Sequence, residues 1–110
     1  MRTVLSIILF LSIQISFAQI VSEKERAILK DELLEDRFQN LLPQLMDDAD
    51  LDMWLLISRE YNEDPVLKTM LPATWLNARR RTMILFYRNK EQNTMERIAV
   101  ARYDIGKSIK

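Results

Sequence analysis

The chain has 110 residues, with 16 Lys plus Arg against 16 Asp plus Glu, one glycine, and neither cysteine nor histidine. That length suits one small domain, and a balanced charge gives no electrostatic draw toward nucleic acid or an anionic membrane. A disulfide framework, thiol chemistry, imidazole general bases, Ser-His or Cys-His nucleophile pairs and histidine metal ligands are all excluded from this chain.

The first stretch, MRTVLSIILFLSIQISFAQ, combines one positive charge at Arg2, an apolar run from Val4 to Phe17, and Ser16-Phe17-Ala18 ahead of Gln19. This is the pattern of a secretory signal peptide, cleaved between Ala18 and Gln19. The apolar run, roughly 14 residues, is short of the 20 or so that span a bilayer, and a single arginine speaks against the twin-arginine route. Residues 1–18 are therefore expected to be removed after export by the Sec route, to the periplasm or the medium. One domain is expected over residues 19–110, with no membrane span and 92 of the 110 residues.

From Ser22 the sequence SEKERAILKDELLEDRFQNLL spaces its apolar residues by three and four, at 27/28, 34, 38, 41/42 and 45/46. That spacing predicts a long amphipathic helix, and Ser22 followed by Glu25 is a capping box that starts it. Pro43 removes a backbone donor and disfavours a helical Leu42, so a kink, or a second short helix opening at Pro43, is expected there. The polar run Asp47 to Asp52 ends it.

MWLLIS, Met53 to Ser58, is apolar without alternation and predicts a strand covered on both faces. The connection that follows, EYNEDPVLKTMLPATW from Glu60 to Trp75, is far longer than the usual five or so residues. Within it Asp64 can cap a short helix whose first residue is Pro65, and Pro72 stops that helix after Leu71. RTMILFYR, Arg81 to Arg88, and MERIAVARY, Met95 to Tyr103, read as two further strands joined as an antiparallel hairpin through Asn89 to Thr94. The fold class is thus α/β, about three strands packed by a long N-terminal helix. One helical layer cannot cover both faces of such a sheet, so the chain is expected to belong to something larger or to need a partner.

Candidate chemistry is sparse. Asp48-x-Asp50-x-Asp52 copies the first three ligand positions of a calcium loop, but Met53 stands where glycine is required and Arg59 where a bidentate glutamate belongs, so a solvated acidic turn is expected. A single glycine excludes a glycine-rich phosphate cradle. Arg79-Arg80-Arg81 suits an anionic ligand, or else a solvated strand start with one arginine pairing with the Asp47–Asp52 cluster. Glu60 and Glu63 read as an ordinary charged loop. Trp54, inside the strand, is expected in the core, whereas Trp75 in the loop is a candidate for a contact surface or ligand lining. Tyr61 and Asn62, at the mouth of the first strand, are candidates of the same kind.

The segment LDMWLLISREYNEDPVLKTMLPATWLNARRRTMILFY, Leu51 to Tyr87, with RFQNLLPQLM before it and ERIAVARYDIG after it, resembles the N-terminal domain of secreted bacterial Xaa-Pro aminopeptidase-like proteins. These belong to the family of aminopeptidase P, prolidase and creatinase. The resemblance spans about Glu23 to Gly106, and REYNEDPVLKTMLPATW is its most specific part. It implies a partial ribonuclease H-like mixed sheet flanked by helices. It further implies a following C-terminal "pita-bread" catalytic domain whose Asp, His and Glu ligands hold two divalent metals, commonly manganese, and act on proline-containing peptides. None of those ligands is present in this chain, which is expected to carry no cofactor and no catalytic or metal-binding residue. What the resemblance implies for this piece is a truncated, inactive domain that contributes to homo-oligomer formation and to the shape of the substrate entrance. Trp75, Tyr61, Asn62 and Arg79 are its contributors, and the long loop would face a neighbouring domain or subunit. A free-standing secreted binding or dimerisation module without enzymatic activity is the alternative.

Overall fold

Ser22 starts helix α1 (Glu23–Asp36) through the expected capping box: its Oγ accepts the Glu25 N–H at 3.3 Å, and Glu25 Oε2 accepts the Ser22 N–H at 3.1 Å. The structure, a computed structural model, describes residues 20–109. The expected signal peptide and its cleavage point at Ala18 and Gln19 lie outside those residues.

The second short helix expected at Pro43 is present and opens one residue earlier, at Leu42. Residues Arg37–Leu41 form a π-helical turn, the Leu42 N–H reaches back to the Arg37 carbonyl, and α2 (Leu42–Asp48) continues with Pro43 in its first turn. In regular α geometry the proline ring would collide with the carbonyl four residues earlier. A widened turn just before it relieves that conflict, so the backbone stays helical through the proline. One consequence is an unbroken stripe of buried residues four apart, Leu34, Phe38, Leu42 and Met46.

That stripe lies on a three-stranded sheet of β1 (Met53–Arg59), β2 (Arg81–Asn89) and β3 (Thr94–Val100), in the order β1-β2-β3. Both pairings are antiparallel, and the register places Leu55 opposite Leu85 and Leu85 opposite Ile98. The strand periodicity of two sends Leu56, Ser58, Thr82, Ile84, Phe86 and Arg88 to the helix side, where all are buried. The Phe86 ring sits 5.5 Å from that of Phe38 and 6.1 Å from that of Trp54. Trp54 is thus half-buried at the margin of the core. The protein is a mixed α/β domain with one long helical segment on one face of an antiparallel sheet.

The long β1–β2 connection turns inward. Asp64 Oδ1 accepts the Val66 N–H at 2.8 Å and caps the single turn α3 (Pro65–Thr69), with Pro65 at its start. Leu67 within it and Met70, Leu71, Trp75 and Ala78 beyond it are all buried, together with Ile105 and Ile109 of the last segment. The loop is closed at its base by the Glu60 N–H donating to the Arg80 carbonyl at 2.6 Å, and moored to α1 by the Ala73 N–H donating to Asp31 Oδ1 at 2.7 Å. Its length therefore serves its own domain: with the sheet open at that end, a short turn would leave the core uncovered.

Candidate interaction surface

The outer face of the sheet is the most unusual surface of the molecule. Its three central rows are Met53, Tyr87 and Glu96; Leu55, Leu85 and Ile98; and Ile57, Met83 and Val100. Eight of these nine side chains are apolar, and Met53, Leu55, Ile57, Ile98 and Val100 are each exposed by 44% or more. Antiparallel sheets with one solvated face normally alternate apolar and polar residues. The apolar run in β1 predicts cover on both faces, yet α1 and α2 cover only one; at the other, Lys107 and Ser108 of the last segment come beside Glu96 and Ile98 on β3. Contiguous apolar patches of this size mark docking surfaces far more often than free ones.

Charge brackets the patch. Arg59 and Arg81 are cross-strand partners on the same outer face, at the end beyond Ile57 and Met83. They continue into an open pocket of about 530 Å3 lined by Arg59, Glu60, Tyr61, Asn62, Arg80 and Arg81. Tyr61 is 97% exposed there, and both Tyr61 (φ 68°) and Arg80 (φ 52°) hold left-handed backbone conformations, an arrangement that disfavours bulky L-residues and is found at built surface features. Arg59, Arg80 and Arg81 make no ion pair among the described residues.

The four residues expected to shape an entrance divide into two places. Tyr61 and Asn62 share the arginine pocket. Trp75 and Arg79 lie together at a separate shallow pocket with Thr74 and Tyr103. Trp75, expected at a contact surface, is only 9% exposed: its indole Nε1 donates to the Asp104 carbonyl at 3.1 Å, which places it in the core and uses its polar edge to hold the last segment. The physical reason is that the loop folds back over the core, so its largest apolar ring goes inside. The long loop presents Tyr61 and Leu76 outward rather than Trp75.

The arginine that meets the acidic turn is Arg88, not one of Arg79 to Arg81. Antiparallel pairing sets the start of β1 against the end of β2, so the Asp47–Asp52 turn faces Arg88 while Arg81 lies at the opposite end. Arg88, 7% exposed, donates through Nε to Asp47 Oδ1 at 3.0 Å and through Nη2 to Asp47 Oδ2 at 2.8 Å. The same Nη2 reaches Asn93 Oδ1 at 2.8 Å in the hairpin turn. The hydrogen bonds from Arg88 hold the Asp47 carboxyl below its ordinary value. Glu35 is lowered as well, first by the Ser108 hydroxyl and then by Gln39 and Arg97. Carboxylates with depressed folded pKa contribute stability that is complete above the unfolded value and is lost as pH falls through the folded one. Stability is therefore expected to hold from neutrality to about pH 5 and to decline below about pH 4. An Asp47→Asn variant should be less stable at pH 7 and show a shallower acid decline in urea titrations run across that range.

Glu63, expected as part of an ordinary charged loop, ties that loop together. Its side chain is nearly buried, pairs with Lys68 Nζ at 3.0 Å and accepts the Ala78 N–H at 2.7 Å, pinning the two limbs of the loop together. The Lys68 contact, followed by the Ala78 amide, holds this carboxyl below its usual value. Glu63→Ala should leave the sheet intact but raise the rate of tryptic cleavage at Lys68, Arg79 and Arg80 several-fold, because local opening governs proteolysis. An unchanged rate would show that the apolar contacts of the loop hold it alone.

Among the described residues, no group of three or more Asp or Glu gathers to hold a metal ion; Asp50 and Asp52 instead share Lys90 at 2.7 and 3.4 Å. No helix of the described residues is long and apolar enough to cross a membrane.

No family model, curated protein or solved structure matches the chain.

The functional reading therefore stands on the surface itself: an apolar sheet face, arginines at one end and a carboxylate at the other. Among the described residues, a surface of this composition is suited to binding.

Proposed function

We propose that the chain is the exported, creatinase-like N-terminal domain of an Xaa-Pro aminopeptidase-type protein of the aminopeptidase P, prolidase and creatinase family, and that its work is assembly rather than chemistry. The observation that carries this reading is the uncovered apolar face of the sheet. A ribonuclease H-like sheet has helices on both sides, and a sheet with a helical layer on one side and eight apolar side chains open on the other fits that architecture short of its second layer. In this reading the manganese and the peptide bond to proline belong to a C-terminal catalytic domain, and no step of hydrolysis falls to residues of this chain. Tyr61, Asn62 and the pocket arginines contribute to the rim of the substrate entrance. The protein reaches the periplasm or medium after loss of residues 1–18.

The intact mass of the native product in the source cells, captured with an antibody against residues 19–110, tests this reading. A product several times larger than the 92-residue chain is expected. A mass matching those 92 residues would contradict it and favour a free-standing secreted binding module. The observation on the side of that second reading is the inner core, which loop and tail close around Leu67, Trp75, Ile105 and Ile109 without outside help.

A further inference from the structure

We propose that the end of the sheet where β1 finishes and β2 begins binds acidic side chains of an extended peptide, with Arg59 and Arg81 holding one carboxylate and Arg79 and Arg102 a second. This rests on the reading of the pocket arginines as the rim of a peptide entrance, and names the class of peptide that the rim favours.

The balanced total charge conceals a segregation. Arg59 and Arg81 are direct cross-strand partners, Arg79 and Arg80 lead into β2, and Arg102 follows two residues after Val100, which pairs with Met83 at that same end. All five are exposed, and none makes an ion pair among the described residues. The acidic turn Asp47 to Asp52 lies at the opposite end, where Arg88 and Lys90 pair with it. Carboxylates near the arginines are engaged elsewhere: Glu60 Oε2 accepts the Arg80 backbone N–H at 3.3 Å, Glu63 pairs with Lys68, and Asp104 Oδ1 accepts the Gly106 N–H at 3.0 Å. Like charges directly opposite on neighbouring strands destabilise a sheet. A cross-strand pair of arginines without a counter-charge is therefore a place for one to arrive from outside, and guanidinium forks take carboxylates in bidentate fashion.

The layout favours an extended chain over a compact anion. Arg59, Arg80 and Arg81 share one open pocket with Tyr61, whereas Arg79 shares a second with Tyr103, whose ring has the Arg102 guanidinium 5.4 Å from its centroid. The two groups meet at the adjacent residues Arg79 and Arg80. An ion such as phosphate occupies only one of them. In an extended peptide, side chains on one face recur about every 7 Å, so acidic residues at alternate positions can engage both. Tyr61, 97% exposed, offers its ring beside the first group for an apolar side chain in between.

Fluorescence anisotropy of a labelled proline-containing peptide with aspartate at alternate positions, titrated with the full chain at low salt, tests the proposal against the same peptide carrying asparagine. The aspartate peptide should bind about tenfold more tightly, and its advantage should shrink as salt is raised. Arg59→Gln combined with Arg81→Gln should weaken the aspartate peptide about tenfold and leave the asparagine peptide unchanged. Arg26→Gln, at an exposed position of α1, should change neither. All these side chains lie at the surface, so far-UV circular dichroism should match the parent's in every variant. Equal binding of the two peptides would overturn the proposal, as would an aspartate advantage that survives the double variant. So would an oligothymidylate of equal charge binding as tightly, or inorganic phosphate displacing the peptide at concentrations like the peptide's own. The native mass decides the underlying reading separately. A 92-residue product with the aspartate preference would remove the entrance and keep the site, whereas a larger product whose chain lacks that preference would do the reverse.

Discussion

Phe86→Ala is expected to bring the protein to the edge of unfolding at room temperature. Phe86 is fully buried at the centre of β2, where the Phe38 ring from the helix and the Trp54 ring from β1 both pack on it. Truncating a buried phenylalanine costs about 3–5 kcal/mol, through lost transfer free energy and the cavity left behind. A domain of this size has only about 5–10 kcal/mol to lose, and one with an open apolar face belongs toward the bottom of that range. The helix-to-sheet contact runs through few rings, so neighbouring side chains have little means of refilling the space. Urea titration followed by circular dichroism checks this: a midpoint close to the parent's would mean that Phe86 is not the centre of the core. Phe86→Leu, which keeps most of the volume, should retain a cooperative transition at lower urea.

The second large effect concerns assembly. Leu55→Lys combined with Ile98→Lys is expected to leave each copy folded and to abolish its self-association. Both residues lie in the middle row of the outer face, half exposed within one copy, so a lysine at either position keeps its ammonium in water and buries no charge. On β1, an edge strand, lysine also discourages edge pairing. Association through this face would put the same two positions at its dry centre, where an unpaired charge is prohibitive. The parent's thermal midpoint should rise with protein concentration, as binding linkage requires, and the variant's should not. Loss of the tryptophan and circular dichroism signals in the variant would show instead that the face is part of the core of a single copy.

How legible the fold was depends on how local each signal is. The capping box at Ser22 and Glu25, the Asp64-Pro65 helix start and the Asn89–Thr94 hairpin each rest on residues a few positions apart, and each is found where the pattern places it. Pro43 obeyed the rule against regular helix at that point, but the chain answered with a π turn rather than a break, since the buried stripe from Leu34 to Met46 gains by staying continuous. Trp75 could not be placed from its neighbours. Its burial depends on Ile105 and the Asp104 carbonyl, some thirty residues on, and nothing near it in sequence announces that contact. Arg88 was hidden in a different way: an arginine closing an apolar run reads as a strand end, and only the antiparallel register shows that it faces Asp47. The MWLLIS run of β1 tells a subtler story. Its lack of alternation predicts cover on both faces, and within residues 20–109 the helical segment covers one, leaving the other as the candidate interaction surface.

That cover is the central claim, and methionine oxidation in the native setting tests it most directly. Met53 and Met83 belong to the outer face, while Met46 and Met70 are buried on the inner side and serve as internal references. Brief peroxide treatment of the source cells, followed by peptide mass analysis, reads the access of oxidant to each thioether. Met53, 57% exposed in the single chain, is expected to be as protected as Met46 in cells and to become reactive only when the face is uncovered. Oxidation of Met53 in cells at the rate of a free methionine would show the face bare in its native setting, and the assembly function would fall with it.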